Sequence, residues 1–394
     1  MLKGANLLGG DKMYTPVTAV WEITMGCNMR CKHCGSSCTS PLKDELTTSE
    51  AIGLCDQLKE IGLKYITLSG GEPTTRKDWD VIAKRLIDNK IKTSIITNGW
   101  NIDDFFVEKV GNIGLESIAI SIDGTKETHD YIRKPFAFDK SVLAIEKLVA
   151  NNIKTSIITS INTRNINELN ELYKLFSDLG VYSWQLQIAQ PMGIFSSHNE
   201  LLLQPSRIVD IIDFAYEKIG SSPLIVLADC IGYYSKKSIA VNENFLQEGW
   251  SWNGCGAGKH VIGILQNGDI IGCTSVRNRE FVAGNIRKRL LADIWNDEEV
   301  FKWNRKLTVE DLGGFCKKCI YNSRCLGGCS NSSLCMNGSM NSENVYCVYN
   351  QEYRRFCRYI DNLDNGELEQ LKSRYHNNNN FIEAINDRLC KGGA

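Results

Sequence analysis

The stretch AVWEITMGCNMRCKHC, residues 19–34, joins a short apolar run to three closely spaced cysteines. Its first six residues are mostly β-branched or aromatic and are predicted to form a strand. Cys27, Cys31 and Cys34 follow in a loop so short that their thiolates can converge on one iron–sulfur cluster. A [4Fe-4S] cluster has four iron sites, so three ligands leave one iron open to a cofactor or substrate. Cys38 lies outside this spacing and is interpreted as a spare or structural thiol.

The composition of the chain excludes several function classes. At 394 residues it exceeds one average domain, and a net charge of −1 gives no basic surface for nucleic acid or for an anionic membrane. No apolar run approaches the roughly 18 residues of a membrane helix, and the N-terminus lacks a signal peptide. A cytoplasmic protein is therefore predicted. Because the cytosol is reducing, the 16 cysteines of the chain favour metal or iron–sulfur ligation over disulfides.

Short β-branched runs alternate with amphipathic helical patterns through the first half of the chain. The predicted strands cover 19–24, 65–70, 92–97, 117–124, 154–159 and 182–189. The predicted helices cover 47–62, 78–89, 102–111, 140–152 and 167–179. Ser49 is the predicted N-cap of the first helix. Such alternation implies a parallel sheet with right-handed crossovers, and six units fit either an open doubly wound sheet or an incomplete barrel.

Three further motifs follow the second, third and fourth predicted strands. They are SGGEP at 69–73, TNG at 97–99 and SIDG at 121–124. With the cysteine loop after the first strand, this series resembles the radical S-adenosyl-L-methionine (radical SAM) superfamily over about residues 17–205. The resemblance implies an α/β fold, a partial (β/α)6 TIM-like barrel with its active site at the carboxyl ends of the strands. It also implies that a [4Fe-4S] cluster is bound by Cys27, Cys31 and Cys34.

The resemblance also assigns residues to the S-adenosyl-L-methionine cofactor. They are Gly70, Gly71, Glu72, Pro73, Asn98, Ser121, Asp123, Arg133 and His33. In the family the GGEP backbone meets the amino end of the methionine moiety, and glycines permit that close approach. Ser121 is placed near the ribose, and Arg133 is suggested for the carboxylate. His33 stands where Tyr or Phe is common, before the third cysteine, and is expected near the adenine.

A second set of cysteines occupies the C-terminal part of the chain. A C-x2-C-x5-C-x3-C block spans residues 316–329, and zinc is the alternative to iron–sulfur there because paired C-x2-C spacings often bind it. Gly268 stands five residues before Cys273, and a last cysteine, Cys347, follows the block. This longer pattern resembles the SPASM domain, which carries auxiliary [4Fe-4S] clusters in many peptide-modifying radical SAM enzymes.

The family's pairing of these cysteines implies two auxiliary clusters. One would be bound by Cys316, Cys319, Cys325 and Cys347. The other would take Cys255, Cys273 and Cys329. The chain departs from the fuller family pattern because no cysteine lies between Cys255 and Cys273. Cys335 is a candidate fourth ligand; otherwise one iron of that cluster stays open, for instance to substrate.

These patterns divide the chain into five predicted segments. They are an N-terminal extension (1–16), the radical SAM barrel (17–205), a bridging segment (206–250), the SPASM domain (251–357) and a helical C-terminal tail (358–394). The fourth segment is dense in Gly, Asn and Cys. Because it has too few apolar residues for a conventional core, bound metal is expected to stabilise it.

The resemblance implies a reaction as well as a fold. An external one-electron reductant, of flavodoxin or ferredoxin type, reduces the first cluster, and the cofactor is cleaved to methionine and a 5′-deoxyadenosyl radical. That radical abstracts hydrogen from an otherwise inert C–H bond. The expected substrate is a ribosomally made precursor peptide or protein, which would gain a cross-link or an epimerised residue. An oxidoreductase acting on a small molecule is the alternative.

Three features bear on the subtype. Sulfatase-maturing relatives carry an acidic residue just after the second SPASM cysteine, where this chain has Thr274, so that activity is disfavoured. About sixteen residues precede the first strand, too few for the fused leader-binding domain of many peptide maturases, so the expectation is that a separate protein binds the leader or that none is needed. Cys230, in LADCIGYY, is a candidate hydrogen-atom donor to a substrate radical, and a buried structural thiol is the alternative.

Overall fold

One ten-stranded sheet forms the centre of the molecule. The computed structural model describes residues 14–246 and 248–374. The strands are β1 (Thr18–Glu22), β2 (Tyr65–Ser69), β3 (Lys92–Thr97), β4 (Ser117–Ser121), β5 (Thr155–Ile161), β6 (Ser183–Ile188), β7 (Leu224–Leu227), β8 (Val261–Ile264), β9 (Asp269–Ile271) and β10 (Gly284–Asn285). They lie in the order β10-β9-β8-β1-β2-β3-β4-β5-β6-β7. Since β1 to β7 pair in parallel, their carboxyl ends meet at one edge of the sheet.

Fifteen α-helices lie in the described part of the chain. They are α1 (Thr48–Glu60), α2 (Trp79–Asp88), α3 (Asp104–Ile113), α4 (Lys126–Ile132), α5 (Ala137–Ala150), α6 (Leu169–Asp178), α7 (Ile208–Glu217), α8 (Lys236–Phe245), α9 (Leu291–Asn296), α10 (Lys302–Arg305), α11 (Gly314–Lys318), α12 (Asn322–Cys325), α13 (Ser330–Asn337), α14 (Val348–Asp361) and α15 (Asn365–Arg374). Among them, none has the length and apolar character needed to cross a membrane.

The start of α1 differs by two residues from its prediction. The N-cap is Thr47 rather than Ser49. The Thr47 hydroxyl accepts a hydrogen bond from the Glu50 N–H, and the Glu50 carboxylate accepts one from the Thr47 N–H at 2.8 Å. This reciprocal pair is a capping box, which satisfies two helix-terminal donors at once. The T-x-x-E pattern of Thr47 and Glu50 therefore marks the start of the helix. The presence of a hydroxyl side chain alone could not decide between Thr47 and Ser49 as the N-cap.

The first seven strands and their helices form a partial TIM-like barrel, which confirms the predicted fold class. All six predicted strands are present in the predicted order. One face of each strand packs beneath the helices. Trp184 of β6, for example, is fully buried, with its ring 4.9 Å from that of Phe176 in α6 and 5.7 Å from that of Phe214 in α7. The opposite face lines the barrel interior.

The structure adds a seventh parallel strand that sequence patterns did not predict. The four residues of β7 pair with β6 and lie inside the segment predicted only to bridge two domains. A four-residue apolar run is too short to be distinguished from a loop by periodicity. As a result, the segment that follows β7 also emerges at the carboxyl edge of the barrel.

The C-terminal region continues the same sheet. β8 pairs in parallel with β1, and β9 returns antiparallel to β8 through a turn at Gly268, whose φ is +86°. A side chain on Gly268 would come within 2.8 Å of Ile286. The predicted domain boundaries at 205 and 251 stay predictions. Residues 1–13 of the predicted extension and 375–394 of the predicted tail lie outside the described residues, and α14 and α15 cover the tail as far as 374.

Replacing Trp184 with alanine tests how far the barrel depends on this packing. The substitution removes two edge-to-face ring contacts and the hydrogen bond from the indole N–H to Thr159 Oγ1, which is 2.8 Å long. We expect the free energy of unfolding to fall by about 3–5 kcal/mol, measured by urea denaturation. Phe105→Ala, at an aromatic side chain that is 68% exposed, is the control and should cost less than about 1 kcal/mol. Equal losses in both variants would contradict this packing.

Candidate active site

The cysteine loop, defined as residues 25–39, leaves the carboxyl end of β1 and closes on itself. The Cys27 N–H donates to the Thr39 carbonyl at 2.9 Å, and the Thr39 N–H donates to the Met25 carbonyl at 3.1 Å. Inside this closure the Cys34 N–H donates to the Cys31 carbonyl at 3.1 Å. The three predicted cysteine ligands are therefore gathered at one end of the barrel, close enough for their charges to act on one another.

The thiols of this loop differ in acidity. Burial raises the pKa of Cys27, and burial raises that of Cys31 to about 12. A hydrogen bond from the Cys38 thiol lowers the pKa of Cys34 to about 5, and the same bond raises the pKa of Cys38. Bound iron would deprotonate its ligand thiols, since a coordinating thiol loses its proton outright. Cys38, predicted to be a spare or structural thiol, thus acts on one of the three candidate ligands, and it also lies 3.8 Å from the Met25 sulfur.

The GGEP motif packs directly against the cysteine loop. The Gly71 N–H donates to the Thr24 carbonyl and the Glu72 N–H to the Gly26 carbonyl, both at 2.7 Å. A Cβ on Gly71 would stand 2.2 Å from the Gly26 oxygen, and one on Gly70 would stand 2.4 Å from the Thr24 oxygen. Gly70 also has a φ of +147°. Any larger residue at either position would push the two loops apart.

Glu72 connects the loops after β2 and β3. Its buried carboxylate accepts hydrogen bonds from the Thr97 hydroxyl and the Asn98 N–H, each at 2.7 Å. Burial raises the pKa of Glu72, and these donors oppose that rise. The Asn98 side chain in turn donates to Asn28 of the cysteine loop at 2.7 Å. Pro73 begins a short 3-10 turn over Pro73–Thr75, which ends the motif.

Asp123 is the centre of a buried charge cluster after β4. Its Oδ2 lies 2.6 Å from Arg133 Nε and 3.1 Å from His33 Nε2. Burial alone would raise the pKa of Asp123, but Arg133 and His33 outweigh burial and hold it well below its usual range. Burial lowers the pKa of His129 to about 3, so this ring is neutral and its Nδ1 accepts the Asp123 N–H at 3.1 Å. Ser121 lies two residues before Asp123 at the end of β4 and is half-buried.

Arg133 also faces the cysteine loop. Its Nη1 lies 3.9 Å from the Cys31 sulfur. Burial would lower the pKa of Arg133, but Asp123 raises it above its ordinary value, so the guanidinium stays charged. Sequence reasoning selected Asp123, Arg133 and His33 singly as cofactor residues and missed that they pair with one another. No sequence signal links them, because the pairing depends on how the α4 helix folds back over the loop.

Four of the C-terminal cysteines line a single cavity. They are Cys316, Cys319, Cys325 and Cys347, and aromatic residues including Tyr321 and Tyr349 complete its wall. Backbone N–H groups donate to two of the sulfurs: Asn344 to Cys316 at 3.4 Å and Tyr321 to Cys319 at 3.5 Å. Such donors to sulfur, in an apolar enclosure, are typical of iron–sulfur sites. These four residues fit the cluster that the sequence assigned to them.

The remaining predicted ligands come from three separate places. Cys255 precedes β8, Cys273 follows β9, and Cys329 is the N-cap of α13. Burial raises the pKa of Cys329, and the nearby charges of Cys255, Cys230 and Cys273 raise it further. Cys335 is different, because its thiol donates to Asn331 within α13 at 3.5 Å. Three of the four predicted residues thus lie near enough for their charges to interact, whereas the Cys335 thiol is hydrogen-bonded within its own helix.

Among the described residues, no three His, Cys, Asp or Glu side chains converge closely enough to bind one metal ion. A closed zinc site needs four sulfurs at about 2.3 Å from a single ion. A [4Fe-4S] cluster is wider than one ion and bonds each thiolate at a different corner.

Comparison with known proteins identifies two domains. Residues 21–176 match the radical SAM superfamily, and residues 255–320 match SPASM, an iron–sulfur cluster-binding domain. The chain is 31% identical to an AdoMet-dependent heme synthase of Methanosarcina barkeri, over 85% of this chain and 97% of that protein. It is 26% identical to the mycofactocin maturase MftC of Mycobacterium tuberculosis, over 80% of this chain and 78% of that protein.

A solved structure has the same fold. Streptococcus suis SuiB bound to its precursor peptide SuiA superposes with a TM-score of 0.68 at 17% identity, over 84% of this chain and 75% of SuiB. At this identity the likeness concerns the fold alone. The superposition covers 84% of this chain, which is more than the barrel alone contains. It therefore includes part of the C-terminal region as well.

Replacing Glu72 with glutamine tests the link between the two motif loops. The Glu72 carboxylate now accepts hydrogen bonds from the Thr97 hydroxyl and the Asn98 N–H. The amide would place its own NH₂ group opposite one of these two donors. We expect binding of S-adenosyl-L-methionine to the reconstituted protein, measured by equilibrium dialysis, to weaken at least about tenfold, because charge-assisted bonds contribute roughly 1.5–3 kcal/mol each. Glu116→Gln, at a carboxylate that pairs with Lys92 at 3.7 Å on the surface, is the control. Unchanged affinity in Glu72→Gln would contradict the prediction.

Proposed function

The chain belongs to the radical SAM superfamily and carries a SPASM domain, and on that basis we propose that it modifies a ribosomally made peptide or protein. Its two domains imply [4Fe-4S] clusters and S-adenosyl-L-methionine as cofactors. When bound and reduced, these cofactors supply a 5′-deoxyadenosyl radical that removes a hydrogen atom from a C–H bond. The modification proposed is a cross-link or an epimerised residue.

Three clusters are part of this proposal. Cys27, Cys31 and Cys34 bind the first, with one iron left for the cofactor. Cys316, Cys319, Cys325 and Cys347 bind one auxiliary cluster. Cys255, Cys273 and Cys329 bind the other. Gly70, Gly71, Glu72, Pro73, Asn98, Ser121, Asp123, Arg133 and His33 surround S-adenosyl-L-methionine, and the pairing of Arg133 with Asp123 orients its guanidinium beside the cysteine loop.

Unpaired hydrogen-bonding groups at the junction of the two domains carry the proposal of a peptide substrate. Gln190, just after β6, donates from Nε2 to Ser332 of α13 at 3.0 Å, while its Oε1 is buried without a partner. The hydroxyl of Ser333, next in α13, is likewise buried and unpaired. Buried polar groups in native proteins nearly always have partners. If the two side chains turn toward a bound peptide, its backbone N–H and C=O groups would satisfy both.

The barrel interior has the same neutral polar character. Ser94 pairs with Ser117 at 2.9 Å, and the Gln187 amide donates to Ser160 at 2.9 Å, all on the strand faces away from the helices. Hydroxyls and amides of this kind suit the uncharged backbone of a peptide.

Two arginines beside the cysteine loop are paired with carboxylates. Arg133 pairs with Asp123, and Arg277 pairs with Glu22 of β1. A substrate carboxylate would have to compete with Asp123 or Glu22 for either of these two arginines. A neutral peptide segment would leave both pairs intact, so these two ion pairs are compatible with a peptide substrate.

The relatives support this choice in part. MftC is named a maturase, and SuiB was solved with a precursor peptide. The 31% identity to a heme synthase favours a second candidate, oxidation of side chains on a tetrapyrrole. In either case an external one-electron reductant of flavodoxin or ferredoxin type is required. A separate leader-binding protein and a cytoplasmic location complete the proposal.

The test is deuterium transfer from peptide to cofactor. Peptides encoded by short open reading frames beside the gene would be made with perdeuterated residues and incubated anaerobically with the reconstituted enzyme, S-adenosyl-L-methionine and dithionite. We expect one of them to place deuterium in 5′-deoxyadenosine and to change mass, both read by mass spectrometry. The Cys27→Ala variant, lacking a ligand of the first cluster, should do neither.

A parallel incubation with iron coproporphyrin III tests the second candidate. Loss of a hydrogen atom and of CO2 from one of its propionate side chains, with one electron passed to an auxiliary cluster, would lower its mass and change its absorption spectrum. Turnover of iron coproporphyrin III, coupled to 5′-deoxyadenosine formation and absent in Cys27→Ala, would replace the peptide proposal with a small-molecule one.

A further inference from the structure

One of the two proposed auxiliary clusters has only three assigned protein ligands, and a further thiol lies in a turn at the carboxyl edge of the sheet. Cys255, Cys273 and Cys329 belong to the proposed ligand set, and Cys230 lies in the turn that follows β7. The sequence separates Cys230 from this group by the predicted boundary between bridging segment and SPASM domain. Only the added strand β7 brings its turn to the same edge of the sheet.

The turn that carries Cys230 is fastened on both sides. The Ala228 N–H donates to the Leu186 carbonyl of β6 at 3.0 Å, and the Ile231 N–H donates back to the Ala228 carbonyl at 2.9 Å. The Cys230 sulfur itself accepts the Ile188 N–H at 3.5 Å. Backbone donors reach Cys316 and Cys319 in the same way, at 3.4 and 3.5 Å. The sulfur of Cys230 is therefore held in place and hydrogen-bonded like those of the proposed cluster ligands.

Tyr233 connects this turn to a cluster ligand. Its hydroxyl donates to the Asp229 carbonyl at 3.0 Å and accepts the Cys329 N–H at 3.0 Å. The Tyr233 backbone has a φ of +86°, a conformation that costs a non-glycine residue free energy and persists only where surrounding contacts impose it. The Tyr233 hydroxyl thus connects, through two hydrogen bonds, the backbone of Asp229 to the backbone of Cys329. The two segments keep a fixed separation.

The electrostatics agree with this placement. Burial raises the pKa of Cys230 to about 11, and the charges of Asp229 and Cys273 add to the rise. The charge of Cys230 likewise contributes to the raised pKa of Cys329. The placement itself follows from the hydrogen bonds of Ile188 to Cys230 and of Cys329 to Tyr233. The Cys335 thiol instead donates to Asn331 within α13 at 3.5 Å.

We propose that Cys230 is the fourth protein ligand of the auxiliary cluster bound by Cys255, Cys273 and Cys329. The inference rests on the proposed function only in taking those three cysteines as ligands. With four thiolates the cluster has no open iron, so a substrate cannot bind to it directly. Cys230 is then an iron ligand and not a hydrogen-atom donor, which revises its sequence-based role. Its neighbour Asp229 is exposed and stays available to contact substrate.

The test compares single cysteine variants in a chain that also carries Cys27→Ala, Cys31→Ala and Cys34→Ala, so that only the auxiliary clusters contribute. The readouts are iron and sulfide per chain, and Mössbauer and EPR spectra. In Cys230→Ala we expect loss of about one iron and the EPR signal of an oxidised [3Fe-4S] cluster, or loss of about four, because a [4Fe-4S] cluster normally has four protein ligands. In Cys335→Ala we expect iron content and spectra equal to those of the parent.

Cys230→Ser keeps the inference testable if the alanine variant folds poorly. A serine oxygen can still bind iron, so we expect the cluster to be retained with shifted Mössbauer parameters for one iron site. A merely structural thiol would leave these parameters unchanged. Parent-like iron and spectra in both Cys230 variants would overturn the inference, and loss of iron in Cys335→Ala instead would transfer the role to Cys335.

Cys273→Ala separates this inference from the ligand set on which it rests. If Cys273→Ala loses iron while Cys230→Ala does not, the cluster exists and only the assignment of Cys230 fails. If Cys273→Ala also keeps all its iron, the cluster itself is absent from that place. The proposed ligand set and this inference then fail together.

Discussion

The rest of the structure depends on the position of β1 between two parallel neighbours, β2 on one side and β8 on the other. Hydrogen bonds along both edges fix where β1 ends, and the cysteine loop begins at that end. Because β8 belongs to the C-terminal region, the two domains share one sheet and are not joined by a linker. The first cluster loop and the auxiliary cysteines therefore have fixed positions relative to each other, as electron transfer or a shared substrate would need.

The contact between the glycine motif and the cysteine loop is the second constraint. Gly71 approaches Gly26 so closely that no side chain could stand at position 71. The Glu72 carboxylate then fixes the loop after β3 by accepting hydrogen bonds from Thr97 and Asn98. Each successive strand end thus positions the next, and the motif residues act on one another before they act on a cofactor.

The sequence predicted the barrel well because its signals are local. Strand and helix periodicities predicted six strands and five helices, and the motifs after β1 to β4 lie at one edge of the sheet. Features that depend on distant residues were not predictable. The apolar run of β7 was too short, the pairing of Asp123 with Arg133 and His33 follows from the packing of α4, and the closeness of Cys230 to Cys329 exists only because β7 joins the sheet. For the same reason, the sequence could offer Cys335 only as a candidate for a missing fourth ligand, and its thiol donates to Asn331 within its own helix.

Iron and acid-labile sulfide per chain, after anaerobic reconstitution, test the central claim most directly. The parent is compared with the variant carrying Cys27→Ala, Cys31→Ala and Cys34→Ala. Three four-iron clusters predict about 12 iron atoms in the parent and about 8 in the variant. About 4 in the parent and almost none in the variant would show that the C-terminal cysteines bind no iron, and would contradict an enzyme that uses auxiliary clusters.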